Sequence, residues 1–425
     1  MEIILVISLL FFFSINVPIA FSIGLASLFA LIYGGDVPLT LISQRMFIGC
    51  DSFPLMALPF FMLAGALMEH GGISTQLIKF ADNVVGHIRG GIGMVSILAA
   101  MLFASMCGAA AAATAAIGAV LIPAMIKNQY DKSVATSVQA TAGSIGVIIP
   151  PSIPMIIFGV IGSTSIGDLF MGGIIPGIIV GFSLMLVMYI IARRNHYPVK
   201  PKSSLKKILI SFKDSLLAFI MPIIILGGIF GGIVTPTEAA ILAVVYGFIL
   251  GFFVYKKLKV KNLPALFLDT AIKTSLSMLL IATSLSFAWI IASQQIPQKV
   301  VSLLLAISQN PQILLTLISV FLLIIGTFLD PTPALIILVP ILLPAVVQVG
   351  VNPVHFGVLM VFVLAIGLAT PPVGVTLFIA CSISGETIRG AARTILPFIG
   401  IMFIIALLIA YFPELVLFVP NLFAK

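Results

Sequence analysis

Charge is what this chain has least of. Only 8% of its 425 residues are Asp, Glu, Lys or Arg, while 61% are hydrophobic and the mean hydropathy is +1.29. Soluble domains carry about 25% charged residues, and no soluble core could bury this much apolar surface. A water-soluble fold is excluded, and the length suits about ten to twelve membrane segments. No hydrophilic stretch is long enough for a separate soluble domain. Cysteine is scarce as well. Cys50, Cys107 and Cys381 stand alone, without metal-ligand or redox-pair spacing, and read as small packing residues. No GxxxxGK[ST] string is present, which excludes a P-loop using ATP directly, and neither HExxH nor a nucleophile elbow occurs. Buried His, Asp and Glu are too few for the nucleophile and base of an intramembrane enzyme. The start, Met1-Glu2-Ile3, lacks a basic n-region, so the first apolar run is expected to stay as a membrane helix. The net charge of +8 sits in short loops, a positive-inside pattern and not a nucleic-acid footprint.

What the chain does have is an internal repeat. Ser144-Ile145-Gly146-Val147-Ile148-Ile149-Pro150-Pro151 recurs 221 residues later as Ala365-Ile366-Gly367-Leu368-Ala369-Thr370-Pro371-Pro372. The same offset pairs Pro123 with Pro344, Pro176 with Pro397, and Ser105-Met106-Cys107-Gly108 with Gly326-Thr327-Phe328-Leu329. Each half thus holds apolar segments interrupted by small residues and proline, the sequence pointer to a transporter's binding site.

Apolar runs fall at about 2–14, 17–34 and 54–69, with a connector at 36–52 lying near the surface and an amphipathic helix at 73–89. From Gly90 to Ile126 there is no charge, and small residues concentrate near Ser105 to Ala113. Each side has about 15 residues, or roughly 22 Å of helix, against about 30 Å of bilayer core, which suggests a re-entrant hairpin. A split run at 133–163 and a long run at 169–192 close the first half. The second half repeats the order: 216–233, 237–254, 272–293, a short segment at 296–308, a hairpin at 312–350, a split helix at 354–383 and a last helix at 394–412. The expected architecture is an all-α polytopic membrane protein of two inverted-topology repeats. Each has five crossings, one of them a split helix, plus a re-entrant hairpin. The expected division is 1–192 (scaffold about 1–89, hairpin and split-helix part about 90–192), a basic cytoplasmic linker at 193–213, and 214–425 (scaffold about 214–308, hairpin and split-helix part about 309–425).

Charge distribution orients the chain. With the 193–213 segment in the cytoplasm, its seven basic residues (Arg193, Arg194, Lys200, Lys202, Lys206, Lys207, Lys213) share that side with Lys79, Arg89, Lys127, Lys132, Lys256, Lys257, Lys259, Lys261, Lys273, Arg389 and Arg393. Only Arg45, Lys299 and Lys425 fall outside, and both termini are expected to face outward.

Four breaks carry the chemistry: the hairpin tips Ser105 to Ala109 and Gly326 to Pro333, and the splits Gly143 to Ser152 and Gly367 to Gly374. Freed carbonyls at such breaks suit Na⁺, and half-helix N-termini suit a carboxylate. Ser105, Gly108, Ser144, Gly146, Thr327, Asp330, Gly367 and Thr370 are the candidate Na⁺-site residues. Ser152, Pro150, Pro151, Thr332, Pro371 and Pro372 are the candidate solute-site residues. The glycines and prolines also suit close helix packing, and membrane Ser and Thr commonly bond their own helix. Asp330, an acid in an apolar run, reads both as a functional group and as an N-cap before Pro331. Its repeat partner is Ala109, so the two tips should differ in charge. Glu238 reads as a helix-start residue, Glu69 and His70 as interfacial, His355 as a poor proton relay, and Trp289 as an interfacial anchor.

Several of these strings resemble the large membrane subunit of the tripartite ATP-independent periplasmic (TRAP) transporters. They are Ala142 to Pro154, Gly326-Thr327-Phe328-Leu329-Asp330-Pro331-Thr332-Pro333, Thr370-Pro371-Pro372-Val373-Gly374 and Val234-Thr235-Pro236-Thr237-Glu238-Ala239-Ala240. The resemblance covers essentially the whole chain. It implies the elevator-type fold of the ion-transporter superfamily and Na⁺-driven uptake of a carboxylate solute such as a sialic acid or C4-dicarboxylate, across a bacterial inner membrane. It also implies two partners, a periplasmic binding protein that delivers the solute and a small four-helix membrane subunit. No cofactor is implied beyond Na⁺ as coupling ion. One departure stands out: the family's first tip looks like Ser-Gly-Ser, and here it is Cys107-Gly108-Ala109. The alternative is a stand-alone anion/Na⁺ symporter or Na⁺/H⁺ exchanger of the same superfamily, working without a binding protein.

Overall fold

Helix is the only regular structure among the described residues of the computed structural model, which are 1–34 and 37–423. Position 36, where the expected connector begins, and Lys425, named above in the charge count, lie outside them. An apolar chain in lipid must satisfy its backbone within each segment, and helices do so. The elements are α1 Glu2–Ser14, α2 Ile19–Gly34, α3 Thr40–Cys50, α4 Phe53–His70, α5 Ile73–Val85, α6 Gly91–Cys107, α7 Ala110–Lys127, α8 Lys132–Ser144, α9 Ile153–Ile161 and α10 Ile166–Arg194. After them come α11 Leu205–Phe230, α12 Pro236–Val254, α13 Val260–Ser293, α14 Ile296–Ile307, α15 Pro311–Gly326, α16 Pro331–Gln348, α17 Pro353–Ala369, α18 Val375–Ser384, α19 Ile388–Tyr411 and α20 Glu414–Phe423. Eight of the described helices (α4, α7, α10, α11, α12, α13, α16 and α19) are long and apolar enough to cross a membrane.

Several boundaries differ from the sequence reading. The connector 36–52 contains α3, which packs on α13. The basic segment 193–213 is helical from Leu205, because the Ser204 hydroxyl accepts from Lys207 N–H (3.4 Å) and so caps α11 there. The run placed at 272–293 starts at Val260, so Asp269 and Lys273 ride on the helix, paired at 2.7 Å. A further amphipathic helix, α20, follows the last expected one and packs on α10.

The helices that frame the breaks form the core. In α8 every residue from Val134 to Ser144 is buried, and in α17 every residue from His355 to Ala369. These two equivalent arms differ in chemistry. α17 is apolar apart from His355, whose Nε2–H donates to Ile409 O (2.7 Å), so His355 is a satisfied core residue. α8 is polar: Thr136 donates to Ser384 Oγ (2.8 Å) and Ser137 meets Thr394 Oγ1 (2.7 Å), joining α8 to α18 and α19. Ser96 Oγ–H donates to Gln139 Oε1 (2.5 Å), and Gln139 Nε2 donates to Thr114 O (3.2 Å). Gln139 therefore ties α8 to α6 and α7. Gln139→Leu strands the buried Ser96 hydroxyl, while Thr114 O keeps its own helix bond, and the expected cost is about 1–3 kcal/mol. The check is a thermal-stability shift of the purified protein, and an unchanged melting curve would refute the tie.

Elsewhere the capping expectation holds. Glu238 closes a capping box on α12, accepting from Thr235 N–H (2.7 Å) while Thr235 Oγ1 accepts from Glu238 N–H (3.3 Å). Arg45 lies over the Trp289 ring at 5.6 Å, which ties α3 to the C-terminal part of α13.

Candidate functional site

The breaks lie within the segments expected. The first tip is only Gly108-Ala109, between α6 and α7; the second is Thr327 to Asp330, between α15 and α16. The first tip is the shorter because Gly108 adopts φ +62°, a left-handed helix end that glycine takes without a Cβ penalty. The splits run from Ile148 to Ser152, after a short 3₁₀ turn, and from Thr370 to Gly374. Both Pro150-Pro151 and Pro371-Pro372 are cis.

Each tip touches its own split. Ile153 N–H donates to Gly108 O (3.3 Å), and Gly374 N–H reaches Thr327 O (3.5 Å). A Cβ on Gly146 would stand 3.0 Å from Ala109 O, and one on Gly367 would run into the Gly326 backbone. Glycine at these two positions is therefore set by backbone approaching backbone.

A cavity of about 200 Å³ opens where the breaks meet. Its wall includes Gly108 to Ala111, Ile153, Asp330 to Thr332 and Val375. The first residues of α7, α9, α16 and α18 all lie on it, so four helix N-termini converge on one space, two from each half. Two are closed by their own side chains. Ser152 Oγ accepts from Met155 N–H (3.3 Å), and Asp330 Oδ1 accepts from Thr332 N–H (3.0 Å). The other two, α7 and α18, have Ala109 and Gly374 as N-caps and no side-chain cap, which leaves their first N–H groups open to an acceptor. No Lys, Arg or His lines the cavity. Its one charged group is the Asp330 carboxylate, which is accessible there as well as capping α16. The two readings of Asp330 are compatible in this geometry. The tips differ in charge, as Ala109 against Asp330 implies.

Of the sequence-named residues, Gly108, Asp330 and Thr332 line the cavity. Gly146, Gly367 and Pro151 sit behind the tips as close-packed backbone. The remaining hydroxyls are occupied within their own segments. Ser105 donates to Leu102 O (2.8 Å), Ser144 to Thr141 O (2.9 Å), Ser152 to Val147 O (2.6 Å), Thr327 to Ile324 O (2.7 Å) and Thr370 to Ile366 O (2.7 Å). Pro150, Pro371 and Pro372 are not on the cavity wall. Two wall residues escaped the sequence reading: Met62 on α4 and Ser277 on α13. Met62 has no signal in an apolar run. Ser277 had a faint one, standing four residues after Lys273 on one helix face.

Comparisons with known proteins agree on a relationship. A family described as "Tripartite ATP-independent periplasmic transporter, DctM component" matches residues 6–415. The C4-dicarboxylate TRAP transporter large permease protein DctM of Pseudomonas aeruginosa is 36% identical over 400 residues, 94% of each chain. The sialic acid TRAP transporter large permease protein SiaM of Vibrio cholerae is 38% identical over 408 residues, 96% of each. The isethionate TRAP transporter permease protein DctMQ of Oleidesulfovibrio alaskensis is 40% identical over 408 residues, 96% of this chain and 64% of that longer one. The YdaH transporter of Alcanivorax borkumensis superposes with a TM-score of 0.65 at 14% identity, covering 88% of this chain and 87% of its own, a likeness of fold alone.

Proposed function

The chain belongs to the DctM family of tripartite ATP-independent periplasmic transporters, and from that premise we propose that it is the permease for an organic anion, driven inward by Na⁺. It is a multi-pass membrane transporter subunit and not an enzyme. The observation that carries the reading is the convergence of four helix N-termini on a cavity with one carboxylate and no basic side chain. The solute's carboxylate takes the open N–H groups of α7 and α18, where the helix ends are partially positive. Na⁺ takes Asp330 and carbonyls of the breaks, with Ser105, Gly108, Ser144 and Gly146 around the first tip and Thr327, Gly367 and Thr370 around the second.

In this reading the two halves are inverted repeats with re-entrant hairpins. The hairpins and split helices (about 90–192 and 309–425) move together against the scaffold (about 1–89 and 214–308), and both termini face the periplasm. A periplasmic binding protein delivers the anion, and a small membrane subunit accompanies the chain in the inner membrane. The relatives' names make a C4-dicarboxylate such as succinate, and sialic acid, the first carboxylates to try, with isethionate, a sulfonate, as the contrast.

Uptake into proteoliposomes holding this chain and its small subunit, under an inward Na⁺ gradient, tests the reading. Uptake that needs the cognate binding protein supports it. Uptake without that protein supports a stand-alone symporter, and uptake indifferent to Na⁺ refutes the coupling.

A further inference from the structure

A second cavity of about 190 Å³ adjoins the first and shares Met62, Ala109, Ala111 and Ile153 with it. Its other walls are Gly65, Ala66 and Glu69 of α4, Cys107 and Ala112 of the first hairpin, and Asp269, Thr270 and Lys273 of α13. Glu69 closes α4 just before the α5 segment holding Lys79, and α13 follows the Lys256–Lys261 cluster, so this chamber lies on the side that the basic loops mark as cytoplasmic. Lys273 is the one cationic side chain lining either cavity among the described residues. It stands one helical turn from Ser277, whose hydroxyl donates to Lys273 O (3.1 Å) and which lines the first cavity.

We propose that Lys273 is the group to which the carried anion's carboxylate passes on leaving the tip cavity, exchanging Asp269 for the solute. The inference rests on the carboxylate-carrier reading above. An anion leaving helix N-termini through an apolar wall gains from the first ammonium it meets. The same chamber holds two carboxylates, Glu69 and Asp269, so the anion finds one attractive partner and two repulsive ones. That balance makes a weak site, which suits release better than storage. As structure alone, Lys273–Asp269 is an exposed i,i+4 pair of the kind that contributes little to folding.

The test is zero-trans uptake by the complete proteoliposome system, with whichever of succinate or sialic acid, both carboxylates, the wild type carries as probe. Lys273→Gln is expected to lower the maximal rate about tenfold, the size of one charge-assisted hydrogen bond, and to leave half-saturation by loaded binding protein within about twofold. Lys273→Arg should restore most of the rate. Asp269→Asn frees Lys273, and luminal anion should then inhibit at lower concentration. Wild-type rates in Lys273→Gln would overturn the inference, as would a Lys273→Arg variant as slow as Lys273→Gln, because geometry rather than charge would then be at fault. If the wild type carries isethionate, a sulfonate, and neither carboxylate, the carboxylate-carrier reading fails and this inference falls with it.

Discussion

Asp330→Asn is expected to raise the Na⁺ concentration for half-maximal uptake by about 30-fold or more, the loss of one charged ligand interaction, while the protein folds and inserts normally. The substitution separates the cap that the structure shows from the Na⁺ role proposed for the same side chain. Asparagine caps a helix about as well as aspartate, so the bond to Thr332 N–H survives and only the charge goes. Asp330→Ala removes both, and is expected to abolish Na⁺-coupled uptake with a further stability cost of about 1 kcal/mol from the lost cap. Uptake is to be measured against Na⁺ concentration for both variants, beside their thermal unfolding. Unchanged Na⁺ dependence in Asp330→Asn would make Asp330 a cap and nothing more.

Gly367→Ala is the second substitution with a large expected effect. The added Cβ meets the Gly326 backbone, and a main chain cannot swing aside as a flexible side chain can. The expected cost is about 3 kcal/mol, the upper end for overpacking, with loss of uptake because the second tip is pushed off its split helix. Gly400→Ala is the control, since a Cβ there meets nothing within 4 Å. Equal melting temperatures and equal uptake in the two variants would show that the tip-to-split contact is dispensable.

The candidate site was legible in the sequence to an uneven degree. The breaks were readable because their causes are local: Gly108 at a left-handed helix end, Asp330 and Pro331 at a helix start, and a Pro-Pro pair in each split. The hydroxyl ligands were harder to read. Ser105, Ser144, Thr327 and Thr370 look like oxygen donors in a list of residues, yet each spends its hydrogen on a carbonyl three or four residues back. Thr332 differs from them because it sits in the first turn of α16, where no carbonyl three or four residues back belongs to the helix. Met62 and Lys273 could not have been found at all, and Ser277 only faintly, since nothing near them in sequence points to the tips.

The sequence by itself determined the membrane class and the two-fold recurrence of interrupted segments, and it sets an expected side of the bilayer for most charges. Each depends on transfer from water or on chain geometry within one helical turn, and both are carried by neighbouring residues. Only the tertiary structure decided that four helix N-termini meet in one cavity, that α7 and α18 arrive uncapped while α9 and α16 do not, and that α4 and α13 close the wall. Those facts depend on which helices pack together, and that is settled by interdigitating side chains and by glycines such as Gly367 that let one backbone lie against another.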